Sequence, residues 1–245
     1  RAPLTFDHAT FSPNDATGDA ARFTRAALRK AVELGARVKF GQTVRGLLRD
    51  GGKITGVETS AGRIDADAVV LAGGLGSRQL LRTVGASLPL HPVSGYSATY
   101  RVRAADLPRV GAVSIRHKIA WASFGDDMLR FTGFADVGYP SSERAKARFQ
   151  ELEAFAASVY PMLSDIEPQR WVGQRPMTPD NLPYIGAGPL SNLWLSCGHG
   201  AMGWTMACGS AQIVTDLVQG RRPALDMAPY RWDRFGTFGR RAPLS

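Results

Sequence analysis

The sequence predicts an α/β chain with a middle stretch of α+β character, and three observations predict it. Ala68–Ala72 is a short, continuous apolar run, the pattern of a strand covered on both faces in a parallel sheet. Gly73-Gly74-Leu75-Gly76-Ser77 follows it, and then a helical stretch, so that strand, glycine turn and helix form a corner of the nucleotide-binding type. From Leu90 to Phe134 the apolar runs become short and are separated by turn residues, which is the signature of antiparallel strands.

The remaining elements follow from local pattern. Gly18–Leu34 has a helical rhythm in Phe23, Ala26, Ala27, Ala31 and Leu34, with Lys30 as its polar break and Gly35 as a terminator. Arg37–Phe40 and Val44–Arg49 read as strands, and Asp50-Gly51-Gly52 turns the second of them into a hairpin with Lys53–Thr59. A second turn at Ser60–Arg63 leads to Ile64. Arg78–Val84 reads as a helix closed by Gly85. In the middle stretch, Tyr96–Val102, Ala112–Ile115, Ile119–Phe124 and Met128–Phe134 are the predicted strands. Ser141 or Ser142 caps a helix to Tyr160 that sets Phe149, Leu152, Phe155 and Val159 on one face. Arg170–Gln174 and Asn192–Cys197 read as strands, and Gly203–Gln219 as a helix closed by Gly220. The Pro- and Arg-rich remainder reads as extended.

Composition bounds the function. The 245 residues are 44% apolar and 21% charged, ordinary values for a globular chain. The net charge of +9 raises nucleic acid or an anionic surface as partners. However, the arginines are scattered except near the C-terminus (Arg221, Arg222, Arg231, Arg234, Arg240, Arg241), and no nucleic-acid-binding signature accompanies them. A solvated basic surface is the plainer reading. Two cysteines, Cys197 and Cys208, and four dispersed histidines give no disulfide framework and no metal-ligand spacing; buried free thiols are expected. Pro189–Thr215 lacks Asp, Glu, Lys and Arg, but it holds Ser, Asn, His and Gln residues and several glycines. It is read as a buried strand, a turn and a buried helix.

Three segments carry the chemistry: VVLAGGLGS (Val69–Ser77), GQRPMTPDNLPYIG (Gly173–Gly186) and CGHGAMGWTMACGS (Cys197–Ser210). In the third, a strand ends, glycines at 198, 200 and 203 allow close backbone approach, and a helix begins whose first N–H groups lack intrahelical partners. Such a terminus suits an anionic ligand edge; a glycine-rich tight connection without a ligand explains the spacing equally well. In the second segment, Arg175 at a strand end suits a two-pronged grip on a carboxylate. The alternative is a structural ion pair, with Asp180 as the candidate partner. The first segment alone is weakly specific.

Taken in this order and spacing, the three segments resemble the FAD-dependent D-amino-acid oxidase superfamily, and bacterial D-amino-acid dehydrogenases in particular. ATGDAARFTRAALRK and Pro92–Ser97 match as well, so the resemblance spans roughly residues 10–225. It implies a Rossmann-like FAD-binding domain from residues 1–90 and 187–235, an antiparallel-sheet substrate domain at 91–186 and a tail at 236–245. It also implies that Arg175 binds the substrate carboxylate and that Tyr96, on a strand near the domain crossing, is a further candidate catalytic residue. The turn and helix start Gly198, His199, Gly200, Met202, Gly203, Trp204 and Thr205 would lie against the flavin, and Val44, Ala72, Gly73 and Gly74 on the adenosine and pyrophosphate side.

The implied reaction is oxidative deamination of a D-amino acid to a 2-oxo acid and ammonia, with electrons passed to a quinone or another respiratory acceptor. The implied location is cytoplasmic, with peripheral contact at the inner face of a bacterial membrane. Members of the superfamily open with a GxGxxG turn, which is absent here. The expectation is therefore the C-terminal part of such an enzyme, its FAD domain completed by an N-terminal segment or a separate subunit. Related amine oxidases acting on glycine, hydroxyproline or an opine, and a truncated chain inactive alone, are the alternatives.

Overall fold

The structure, a computed structural model, describes residues 8–236. Along the chain its elements are α1 (Ala20–Glu33), β1 (Val44–Asp50), β2 (Lys53–Thr59), β3 (Gly62–Asp65), β4 (Val69–Leu71), α2 (Gly76–Arg82) and β5 (His91–Arg101). There follow β6 (Ala112–Ser114), β7 (Ile119–Phe124), β8 (Met128–Val137), α3 (Ser142–Val159), β9 (Gln169–Met177), β10 (Tyr184–Ala187), β11 (Leu193–Cys197) and α4 (Gly203–Val218). The described residues form two compact units, one of residues 8–36 and 93–174, the other of 37–92 and 175–236.

The first unit is built on a five-stranded sheet of order β6-β7-β8-β5-β9. Alternate residues of β5 and β8 point inward, and Tyr96, Ala98, Tyr100, Leu129 and Phe131 meet Leu152, Phe155 and Val159 of α3 in one core. The Ser141 side chain caps α3 by accepting from the Arg144 N–H. The β5–β8 register slips between Ser94 and Tyr96, and Phe134, opposite the slip, has φ of 67°. That bulge sets Asp136 opposite Ser94. Asp19 caps α1 in the same way as Ser141 caps α3, accepting from the Arg22 N–H.

The second unit contains the meander β1-β2-β3 and the sheet β10-β11-β4, in which β4 and β11 are parallel. Asn192 joins the two sheets. Its side chain accepts from the Ile54 N–H and donates to the carbonyls of Ile54 and Asp67, from a left-handed backbone at φ 59°. Leu47, Ile54, Leu71, Leu81, Leu88, Leu90, Tyr184 and Leu193 form the core beneath.

The structure departs from the expected elements in several places, each with a physical reason. Residues 37–40 form no strand, since nothing among the described residues pairs with them and Phe40 is 80% exposed. Val70 is half exposed, because β4 is an edge strand covered on one face. α4 buries only Ser210 and Val214, against β10 and β11; the uncharged sequence was the signature of an apolar helix, not a covered one. Cys208, on its open face, is accordingly exposed while Cys197 is buried.

The C-terminal stretch is not simply extended and solvated. It makes a 3-10 turn at 228–230, and Arg221, Arg231 and Arg234 pair with Asp216, Asp233 and Asp180. The two units also divide the chain differently from the expected 1–90/91–186/187–235 scheme. Residues 8–36 group with the antiparallel sheet, where Thr17 lies against Gly111 and Ala122 is close by, and residues 175–186 group with β10 and β11. All of the expected tail beyond Gly236 lies outside the described residues.

Candidate functional site

The second unit gathers the segments that the sequence singled out. β9 ends at Met177, and a loop of prolines with Asp180 and Asn181 leads into β10. Within that loop the Leu182 N–H donates to Asp180 Oδ1 at 3.1 Å, and Asn181 sits at φ 63°. This is an Asx turn of the kind short polar side chains make with their own backbone. Arg175 is partly buried near the end of β9. By strand alternation it shares a face with Met177.

Met177 and Thr178 lie directly beneath the glycine turn. A Cβ on Gly200 would stand 2.7 Å from Met177 Sδ, and one on Gly198 would stand 2.8 Å from Thr178 Cγ2 and 3.0 Å from Leu90 Cδ2. Both glycines also have left-handed backbones, at φ 78° for Gly198 and 53° for Gly200. The close approach that requires glycine at 198 and 200 is therefore to the chain's own β9 loop. The tight-connection reading suffices for these two positions, whatever else the turn contacts.

A 3-10 turn at Gly200–Met202 then opens α4 at Gly203, and no side chain caps the helix. Its first N–H groups, on Gly203, Trp204 and Thr205, carry the partial positive charge of a helix N-terminus. Met202 and Trp204, each about half exposed, flank it with apolar surface. His199 is held by a 3.0 Å hydrogen bond between its Nε2 and Ser210 Oγ, and burial lowers its pKa, which favours the neutral ring. The parallel partner of β11, β4, ends at Leu71, so that Ala72, Gly73 and Gly74 turn the chain at the same end of the sheet as Gly198. Gly74 has φ of 55°, and a Cβ there would meet nothing within 4 Å, so this corner is open. Val44 begins β1, opposite Thr59.

Buried groups at this end are tuned by their surroundings. Burial pushes the Cys197 thiol up to about 11 and the Tyr184 phenol up to about 12, so both stay protonated. Asp180 is held below the usual carboxylate range first by hydrogen bonds from Arg234, against the opposing effect of burial. The carboxylate that sequence proximity offered to Arg175 is thus gripped at both oxygens by a different arginine: Arg234 Nε and Nη2 donate to them at 2.8 and 2.9 Å. Nothing in the spacing of these residues, 54 apart, advertised that pair.

Tyr96 belongs to the first unit, and its surroundings are those of a core residue. It is 2% exposed, its hydroxyl donates to Asp136 Oδ2 at 2.9 Å, and its ring meets Phe134 and Phe149 edge to face. Arg148 grips the same carboxylate, at 2.8 Å from Oδ1 and 3.2 Å from Oδ2. Enclosed in this way, Tyr96 packs in the core of the first unit and commits its hydroxyl to Asp136.

Comparison with known proteins adds the family. The model of the DAO family, FAD dependent oxidoreductases, matches residues 1–217. D-amino acid dehydrogenase of Rhizobium rhizogenes is 42% identical over 226 residues, covering 92% of this chain and 54% of the relative. D-amino acid dehydrogenase of Paramagnetospirillum magneticum is 39% identical over 230 residues, covering 93% of this chain and 54% of the relative. The chain thus spans about half the length of the curated relatives it matches. Among solved structures, glycine oxidase from Geobacillus kaustophilus superposes with a TM-score of 0.76 at 26% identity, over 88% of this chain and 58% of that one. L-proline dehydrogenase from P. horikoshii superposes with a TM-score of 0.74 at 22% identity, over 90% of this chain and 61% of that one, a likeness of fold.

Proposed function

The chain belongs to the DAO family of FAD-dependent oxidoreductases, and on that premise we propose that it is the C-terminal part of a D-amino-acid dehydrogenase. The observation that carries this reading is the meeting of two motifs in one unit. The strand end bearing Arg175 lies, through Met177 and Thr178, beneath the glycine turn that opens α4. Relatives near 40% identity named D-amino acid dehydrogenase support the substrate class. The likeness to a glycine oxidase keeps glycine as a second substrate to test.

The residues present fit FAD on one side. The uncapped N-terminus of α4, flanked by Met202 and Trp204, offers N–H donors and apolar surface to an anionic-edged planar ring. The open corner Ala72–Gly74 and Val44 would stand on its nucleotide side. Bound there, FAD would supply the acceptor for the two electrons that leave with the substrate's α-hydrogen as its C–N bond becomes a double bond.

The chain's own groups would do the rest. Arg175 would hold the D-amino acid's carboxylate in a bidentate, charge-assisted contact and so fix the α-carbon. The α4 dipole would favour negative charge developing at its N-terminus. His199, neutral and tied to Ser210, would hold the first turn of α4 in place. No side-chain base is assigned, since the lone pair of an amine that enters neutral can form the C=N bond as the α-hydrogen leaves as a hydride. The resulting imino acid would be hydrolysed by water to the 2-oxo acid and ammonia.

We assign the electrons to a quinone or another respiratory acceptor, which makes peripheral contact with the inner face of the membrane part of the proposal. No helix among the described residues is long and apolar enough to cross a membrane.

Steady-state kinetics of flavin-loaded protein tests the assignment of Arg175. Arg175→Leu and Arg175→Lys should both depress kcat/KM for D-amino acids while flavin content and melting stay normal, because lysine keeps the charge but not the planar fork. Wild-type kcat/KM in flavin-replete Arg175→Leu would remove the anchoring role.

A further inference from the structure

Arg234 sits in the Pro- and Arg-rich stretch that the sequence presented as a solvated surface, yet its side chain is only 9% exposed. A guanidinium has five N–H donors in a rigid plane and no acceptor. Here all five have partners. Nε and one Nη2 proton go to the Asp180 carboxylate at 2.8 and 2.9 Å, and the other Nη2 proton goes to the Leu182 carbonyl at 2.6 Å. Nη1 donates to the carbonyls of Arg231 and Pro183 at 3.1 and 3.5 Å. The plane lies 4.2 Å from the centroid of the Tyr184 ring and 4.8 Å from that of Phe235.

Every one of those acceptors except Arg231 lies between Arg175 and the start of β10. The segment they hold is the one that supports the glycine turn: Thr178 stands against Gly198, and Met177 against Gly200. Tyr184, under the Arg234 plane, is fully buried, stands against Gly198 and donates its hydroxyl to the Pro89 carbonyl. One cation from the C-terminal stretch thus reaches both sides of the loop between the Arg175 strand and β10.

We propose that Arg234 is a positioning residue: it clamps residues 180–184 and thereby fixes both Arg175 at the end of β9 and the Gly198–Gly200 turn above it. The inference rests on the functional reading only for what Arg175 holds; the clamp itself is independent of any substrate. A lysine at 234 has three donors on a point charge and cannot serve five acceptors in a plane. Asp180→Asn, which keeps a hydrogen-bonding side chain of the same shape but removes the charge, probes the same clamp from the other side and guards against a misfolded Arg234 variant.

The experiment compares wild type, Arg234→Lys, Asp180→Asn and the double variant. Hydrogen exchange should speed up on the order of tenfold or more at residues 177–184 and 198–203, with the antiparallel-sheet unit unchanged, as expected of a local opening. In flavin-loaded protein, KM for a D-amino acid should rise on the order of tenfold while kcat moves by less than about threefold, the pattern of lost substrate positioning. The double variant should be no worse than the poorer single one, because the two side chains act as one unit. Unchanged exchange at 177–184, or exchange raised uniformly over the whole chain, would overturn the proposal. So would a KM left at the wild-type value in variants whose loop exchange has risen. Should the wild-type chain, completed by the N-terminal part of its FAD domain and flavin-loaded, turn over no D-amino acid, the functional reading falls instead, and the exchange result alone decides the clamp.

Discussion

Replacing Gly198 by alanine should be among the most costly single-methyl additions in the second unit, and the structure gives the size of the effect. Two penalties act together. The backbone at φ 78° is left-handed, which costs a non-glycine residue about 1–2 kcal/mol. The added Cβ would also stand 2.8 Å from Thr178 Cγ2, 3.0 Å from Leu90 Cδ2 and 3.3 Å from Tyr184 Cδ2. Thr178, Leu90 and Tyr184 are 5%, 1% and 0% exposed, so none can swing away into solvent. Overpacking of that kind costs about 1–3 kcal/mol, and the sum is about 2–5 kcal/mol.

Gly74→Ala is the internal control. Its backbone is also left-handed, at φ 55°, but nothing lies within 4 Å of the new methyl, so only the first penalty of about 1–2 kcal/mol applies. Urea melts followed by tryptophan fluorescence, which senses Trp194 and Trp232 in this unit, measure both variants on the same chain. The difference between them isolates the clash with the β9 loop. Equal destabilisation of the two variants would refute the argument that Gly198 is glycine because Thr178, Leu90 and Tyr184 crowd it.

Other outcomes follow from the same structure. Tyr96→Phe should cost about 1 kcal/mol in a melt, the value of one buried hydrogen bond, and leave kcat/KM unchanged, since the ring is enclosed and its hydroxyl serves Asp136; a large kinetic defect at normal stability would restore Tyr96 to the reacting groups. Asp136→Asn should destabilise by about 3 kcal/mol because it strips the carboxylate from Arg148. Asp136 is held below its ordinary 3.8, first by the Arg148 hydrogen bonds, so its contribution is present above 3.8 and is lost as pH falls through the lower folded value. The stability gap between wild type and Asp136→Asn should therefore narrow in melts taken below that range and persist at neutral pH. A thiol reagent should titrate one cysteine in the native chain, the exposed Cys208, and reach the buried Cys197 only on unfolding; two fast-reacting thiols would contradict the burial of β11.

Most of the architecture was legible because it is written in local patterns. The hairpin at Gly51, the Ser141 cap, the apolar face of α3 and the glycine terminators at 35, 85 and 220 each depend on residues within a turn or two of one another. What was missed depends on partners distant in sequence or on covering surfaces. Residues 37–40 have strand-like composition, but a strand exists only where another backbone accepts its hydrogen bonds. The uncharged stretch through α4 reports what a helix can lie against, whereas burial requires something to lie there, and β10 and β11 cover only the Ser210 and Val214 side. β10 itself is four residues following a proline-rich loop, too short for a periodic signal.

The site shows the same division at higher stakes. The three motifs named the segments that matter, because glycine, proline and arginine at fixed offsets carry backbone and charge requirements that sequence displays. What the motifs could not display is which acceptor each cation serves. Arg175 and Arg234 are both candidates for Asp180 on charge alone, and the nearer in sequence is Arg175. The structure gives both carboxylate oxygens to Arg234, because the Asx turn after Thr178 presents them together with the carbonyls of Leu182 and Pro183 to a fork with five donors. A four-acceptor surface of that shape selects a planar guanidinium over a point charge, and only the folded loop creates it. The arginine that composition had placed on the surface is therefore the one that shapes the loop behind Arg175.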